Sequence, residues 1–310
     1  MNRIVLTGAG GLLGGAFRSA LASHNVVTID RNQCDADAPA AIRQIIGDFA
    51  PQLVINCAAH TDLEAAERDP DPNFKANARL PGVIGEICKR HDAIMLHFSS
   101  TGCYGDWKSA PYSEDDEVRP TTAHHRAKVA GEQAVRASGC RHIILRTGWL
   151  FGGELGQPKN FVWKRLLEAR ATDSMISDAS QHGCPTYVGD VAEQALLMVR
   201  RSVEGTFNAV AQGSASRYEY VGAIVAAAGL PCAVRPGPGF RRLAPVSPNE
   251  TAVNARLKAL AIDHMPEWRD SLRTYVALLT ASPAWTFGND RRQGPDEKAR
   301  VPIDREGMVP

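Results

Sequence analysis

An apolar run, Ile4-Val-Leu6, leads straight into Thr7-Gly8-Ala9-Gly10-Gly11-Leu12-Leu13-Gly14, and a helical pattern then holds through Leu21. Strand, glycine turn and helix in that order commit the chain to a βα unit at its start. Gly8 permits the tight turn, Gly11 lets backbone approach a pyrophosphate, and Gly14 allows helix and strand to pack closely. The helix would meet the phosphates with the positive end of its dipole. Gly8, Gly11, Leu12, Leu13 and Gly14 are therefore read as contacts to a dinucleotide.

The following stretches repeat the βα pattern. Val26-Val-Thr-Ile-Asp30 is a second strand ending in an acid sixteen residues after Gly14. A carboxylate there can accept hydrogen bonds from the adenine ribose and would repel a 2′-phosphate, whereas Arg31 beside it could welcome one. NAD(H) and NADP(H) both stay open, with the acid leaning towards NADH. Asp35 is a weaker candidate for the adenine end, with a solvated loop acid as the alternative. Leu53-Val-Ile-Asn56 is a buried parallel-type strand running into Cys57, Ala58, Ala59 and His60. Small residues at that end would let a cofactor lie against the backbone, so Ala58, Ala59 and His60 join the cofactor set. Residues 62–91 read as helix in two pieces divided near Pro70 and Pro72.

A strand over residues 93–101 ends in hydroxyls, Ser99-Ser100-Thr101, and is followed by an exposed loop over 102–119 whose acids read as solvated. Then comes Pro120-Thr-Thr-Ala-His124-His125-Arg126-Ala-Lys128, the opening of a helix capped by Thr121 or Thr122. His124 and Lys128 are four apart and share one helical face. A further strand over 142–147 precedes Gly148 and Trp149. Repeated β–α units specify an α/β fold with a Rossmann-type doubly wound parallel sheet. Ligands in such sheets bind beyond the carboxyl ends of the strands. The glycine turn, Asp30, Ala58 to His60, Ser100 and Trp149 all fall there.

Residues 1–150 are read as a dinucleotide-binding domain, with 185–205 returning to it. Residues 151–281 are read as a smaller C-terminal substrate or lid domain, and 282–310 as a polar, poorly ordered tail. Helices are expected near 159–171, 190–201, 218–228, 252–261 and 267–280, and a strand over 205–210.

Charge and cysteine usage remove several classes. Lys and Arg total 35 against 34 Asp and Glu, spread along the chain, so there is no concentrated basic face for nucleic acid. No apolar run approaches the roughly 20 residues of a membrane span. The first residues enter a strand at once, leaving no room for a signal peptide. The seven cysteines are scattered with no CxxC spacing, which argues against a disulfide framework or metal site. The expectation is a reduced, cytoplasmic enzyme.

With these motifs in place the chain resembles the extended short-chain dehydrogenase/reductase superfamily, and within it the dTDP-4-dehydrorhamnose reductase family. The likeness covers roughly residues 1–280. It rests on Thr7-Gly-x-x-Gly-x-x-Gly14, Asn56-Cys-Ala-Ala-His-Thr61 with Glu67, Lys128-x-x-Gly-Glu132, Arg146-Thr-Gly-Trp149, Asn160-Phe161, Gln181-x-Gly-x-Pro-Thr186 with Asp190, and Tyr218-Glu-Tyr220. The resemblance implies a catalytic trio at Ser100, His124 and Lys128, with Lys128 also holding the cofactor ribose. It implies substrate contacts at Thr101, Trp149 and Asn160, a nucleotide-sugar substrate and a homodimer.

Two departures stand out. Where the family has Ser-Thr-Asp-Tyr-Val-Phe, this chain has Ser99-Ser-Thr-Gly-Cys-Tyr104, closer to sugar-nucleotide epimerases. Where the family has its catalytic tyrosine, this chain has His124. Three readings follow. The chain is a 4-keto nucleotide-sugar reductase with His124 as acid, a catalytically impaired NAD(P)-binding regulatory or scaffold protein, or a nucleotide-sugar epimerase or dehydratase. His125 is a further possible proton source.

Overall fold

The structure is a computed structural model describing residues 3–155, 157, 160–239 and 241–287. Its centre is a sheet of six parallel strands. Five are β1 (Arg3–Thr7), β2 (Asn25–Ile29), β3 (Leu53–Asn56), β4 (Ile94–Ser100) and β5 (His142–Thr147), and the sixth is Gly205–Asn208. They lie in the order 2-1-3-4-5 with Gly205–Asn208 outside β5. Order reverses at β1, so a crevice opens over the carboxyl ends of β1 and β3.

Alternation along the strands assigns each face its own core. Leu6, Ile55, Leu96 and Leu145 point one way, onto α1 (Leu12–Ala20). Val5, Val54, Met95 and Ile144 point the other way, onto α2 (Ala40–Phe49). With both faces covered, these strands carry near-continuous Val, Ile and Leu.

Between β3 and β4 the chain forms α3 (Leu63–Arg68), α4 (Pro70–Phe74), a π-helical turn Lys75–Arg79 and α5 (Leu80–Arg90). The break expected near Pro70 and Pro72 falls at Asp69. Pro70 then opens α4, where its missing N–H is harmless, and Asp69 caps it. α6 (Ala123–Ala137) follows and packs beside this segment.

Farther along come α7 (Phe161–Ala171), α8 (Val188–Arg200), α9 (Arg217–Ala227), α10 (Ala255–Ala259) and α11 (Trp268–Thr280). Val188, Val191, Ala195 and Met198 of α8 join Leu13 and Phe17 of α1. The strand expected over 205–210 is shorter and extends the central sheet. α7, α9 and α11 meet around Phe151, Tyr220 and Trp268, a separate aromatic core.

One expectation needs correcting. The acids of the 102–119 loop are not all solvated. Glu114 is buried and its carboxylate accepts from the backbone N–H groups of Asn208 and Ala255, capping the start of α10. The tail begins with a short helix, Pro283–Phe287, and its remainder lies outside the described residues. No helix among the described residues is long and apolar enough to cross a membrane.

Candidate active site

At the crevice, Gly8 and Gly14 of the glycine turn have no room for side chains. Gly8 sits at φ +67°, and a Cβ there would lie 2.7 Å from the Cys57 carbonyl and the Ala58 nitrogen. A Cβ on Gly14 would lie 2.1 Å from the Gly8 carbonyl oxygen. Gly11 caps α1 without any side-chain bond, so the positive end of that helix is left bare. Such a backbone cradle fits a pyrophosphate. Leu12 flanks it half-buried, while Leu13 belongs to the core. The Thr7 hydroxyl donates to Asn56 and accepts from the Ala58 nitrogen, which ties the β3 end to the turn.

Asp30 lies exposed at the end of β2. The side chain of Arg31 is outside the described part of the structure. Asp35 pairs with Lys75 at 2.6 Å, and Lys75 also reaches Asp37 at 2.9 Å. The Asp35 carboxylate therefore has an ionic partner within the chain.

Thr122 rather than Thr121 caps α6, its Oγ1 accepting from the His125 nitrogen at 3.1 Å. Glu67 accepts from the Ala123 nitrogen, placing a carboxylate at the positive end of the same helix. Nine residues further along α6, the buried Glu132 carboxylate is held by Arg146 at 2.9 and 2.7 Å and by Arg136 at 2.7 Å. Burial works against that carboxylate, yet the Arg146 pairing outweighs it and holds the carboxyl at about 2. This pair pins α6 to β5.

Lys128 is buried, and its ammonium donates to the Phe98 carbonyl at 3.0 Å, two residues before Ser100. Burial lowers its pKa to about 8. His124 turns towards the segment after β3. Its Nδ1 lies 3.2 Å from the Asn73 amide nitrogen and 3.5 Å from that of Asn77. Those amides also reach the His60 carbonyl at 3.1 and 2.8 Å, which only donors can do. Each amide has two protons for these contacts, which also include His60 Nδ1 and Asn73 Oδ1, so His124 Nδ1 shares them with the His60 ring and with Asn73. Burial, followed by the neighbouring His125 and Lys128, lowers the pKa of His124 to about 2, so His124 is neutral.

His125 instead reaches the serine, with its Nε2 3.3 Å from Ser100 Oγ. Ser100 therefore hydrogen-bonds to His125 rather than His124. Thr101 is buried, and a Cβ on Gly148 would touch its Oγ1. Trp149 adopts φ +45° and donates from Nε1 to Glu250 at 2.8 Å. The Arg217 guanidinium stacks over its ring at 3.5 Å, and a Cβ on Gly183 would strike the indole. The Gln181-x-Gly183 motif thus builds the wall behind Trp149, and Gln181 also accepts from Arg217. Asn160 caps α7 and donates to Tyr275, so its amide serves the fold.

Sequence reasoning missed Asn73, Asn77 and Glu250. For the first two the sequence offers an Asn pair spaced by four, which reads as solvent-facing; the π turn that carries Asn77 shows in the structure, and such turns gather at functional sites. Nothing near Glu250 in sequence marks it, because its partner Trp149 is 101 positions away. Among the described residues no group of three or more His, Cys, Asp or Glu could hold a metal ion.

The family described as RmlD substrate binding domain matches residues 1–281. The chain is 33% identical over 288 residues to the dTDP-4-dehydrorhamnose reductase of Mycolicibacterium smegmatis, covering 91% of this chain and 87% of that one. A dTDP-4-dehydrorhamnose reductase structure from Clostridium acetobutylicum superposes with TM-score 0.86 at 29% identity, covering 90% of this chain and 99% of the other. One from Bacillus anthracis, in complex with NADP, gives 0.85 at 24% identity over 90% and 100% of the two chains.

Proposed function

The chain belongs to the RmlD substrate binding domain family, and from that premise we propose that it reduces the 4-keto group of a nucleotide-linked deoxysugar with NADH or NADPH. Such a reaction belongs to deoxysugar and polysaccharide biosynthesis. One observation carries the reading. The Ser100 hydroxyl and the Lys128 ammonium, fixed two residues apart along β4, lie at the same strand ends as the Gly8–Gly14 cradle. The bound dinucleotide supplies the hydride.

The protein's own groups do the rest. Ser100 offers its hydroxyl to the carbonyl oxygen and steadies the charge that develops there. Lys128, positioned by the Phe98 carbonyl, holds the ribose and adds positive potential. His124, neutral, acts through its one ring N–H as a hydrogen-bond donor rather than as a charged acid. Trp149, backed by Glu250 and Arg217, forms a flat wall for the sugar. Asp30 sets the preference between NADH and NADPH. We take residues 1–150, with 185–205, as the cofactor half and 151–281 as the substrate half. A homodimer follows from the family resemblance, and light scattering on the purified protein tests it.

The test is turnover of a dTDP-4-keto-6-deoxysugar with each reduced dinucleotide. Stoichiometric oxidation by the native protein, lost in Lys128→Ala, supports the reading. Binding of dinucleotide without turnover favours a regulatory role, and product without net oxidation favours an epimerase.

A further inference from the structure

Ser100 Oγ has two partners in the fold. It accepts from the Gly102 nitrogen at 3.1 Å, and His125 Nε2 lies 3.3 Å away. On the far side of the ring, His125 Nδ1 is 3.0 Å from Thr122 Oγ1. That same oxygen accepts from the His125 backbone nitrogen. The Thr122 proton is thereby left free to point at Nδ1. A ring that accepts at Nδ1 carries its proton on Nε2, aimed at Ser100. Ser100 Oγ then receives two donors, and its own proton is left for an acceptor in the crevice.

Gly102 makes this arrangement possible. A Cβ there would lie 2.1 Å from His125 Cε1, 2.3 Å from Nε2 and 2.7 Å from Glu250 Oε1. Any side chain at 102 would take the space the imidazole occupies. Gly102 and His125 are a matched pair, and the adjacent His124 has no part in it.

We propose that His125 is the positioning residue of the reductase site, orienting Ser100 and feeding it the proton taken up by the reduced oxygen. The inference rests on the reductase reading above. The reduced nicotinamide dinucleotide gives two electrons and a hydrogen to the carbonyl carbon, and the carbonyl π pair moves to oxygen. That oxygen takes the Ser100 proton, and Ser100 takes the Nε2 proton of His125. The transferring form is the imidazolium, so the ring ends neutral and takes a proton from water before the next turnover. Thr122 can accept from a protonated Nδ1 or donate to a bare one, so neither state loses its partner.

Burial disfavours the imidazolium, and Lys128 on the same helix adds to that. Glu250 from the substrate-side loop and Glu67 from α3 oppose it, and neutral His124 lies edge-on at 5.1 Å. The charged form is therefore less populated than in an ordinary histidine and shrinks as pH rises, and the proton-transfer rate should shrink with it.

The experiment is single-turnover reduction between about pH 5 and 8, with dinucleotide binding by calorimetry as the control for folding. The native rate should fall as pH rises. His125→Gln keeps an N–H towards Ser100 but cannot titrate, so its rate should be lower and flat with pH. His125→Ala should lose roughly 100-fold or more, the scale of general acid catalysis. Ring 15N NMR of the native protein provides a readout independent of activity and should find His125 as the Nε2–H tautomer. An Nδ1–H tautomer, or His125→Gln with the native rate and slope, overturns the proposal. Loss of turnover in Lys128→Ala with His125→Gln unchanged would leave the reductase reading standing and remove this one.

Discussion

The glycine turn and the start of α6 both face the crevice, yet they are specified in different ways. In the turn, backbone forms the cradle, and a Cβ on Gly14 would sit 2.1 Å from a carbonyl oxygen that cannot move aside. At the start of α6 side chains form the site, and a contact expected of one is made by its neighbour. His124 takes the tyrosine position of the resemblance, while His125 makes the contact to Ser100. A site made of backbone constrains its residues one by one. A site made of side chains constrains only where the acting atoms end up.

The anchor of the side-chain site gives the largest expected effect. Arg146→Ala strips the buried Glu132 of its main partner and should destabilise the fold by about 3–5 kcal/mol, read as a fall in Tm. Glu132 titrates near 2 in the fold against 4.5 in an ordinary chain. Because its folded pKa is depressed, its stabilisation is complete above pH 4.5 and is lost as pH falls towards about 2. Removing Arg146 should flatten that limb of a stability-versus-pH curve. In the backbone site, Gly14→Ala should cost about 1–3 kcal/mol by overpacking and abolish dinucleotide binding by calorimetry. If it binds normally, the contrast between the two regions is wrong.

Smaller effects refine the side-chain region. His124→Phe removes one polar partner of Asn73 and should lower turnover within about tenfold, the scale of one hydrogen bond. A loss as deep as that of His125→Ala would return the leading role to His124. Asp30→Ala should leave turnover with NADPH intact or improved and weaken NADH only modestly, since a ribose hydrogen bond is all that is lost.

The sequence announced the backbone site well because a glycine at φ +67° and a helix packed on a carbonyl demand particular residues. The parallel sheet was equally legible from strands buried on both faces. The side-chain site was legible only in outline. Ser100, His124 and Lys128 could be placed on their elements, but which histidine meets the serine depends on a missing Cβ at 102, and no periodicity reveals that. Asn73 and Asn77 were hidden because polar residues in a helix ordinarily read as solvent-facing. Asp35 looked available until folding brought Lys75 to it. Glu250 and Arg217 reach Trp149 only through the packing of the second half of the chain.

Isotope transfer tests the reductase assignment most directly. The native protein, given dinucleotide carrying deuterium at the reactive nicotinamide carbon and a dTDP-4-keto-6-deoxysugar, should yield an alcohol with one deuterium on the former ketone carbon. One equivalent of dinucleotide should be oxidised for each product formed. Product without deuterium at that carbon, or dinucleotide bound and left unoxidised, would contradict the account.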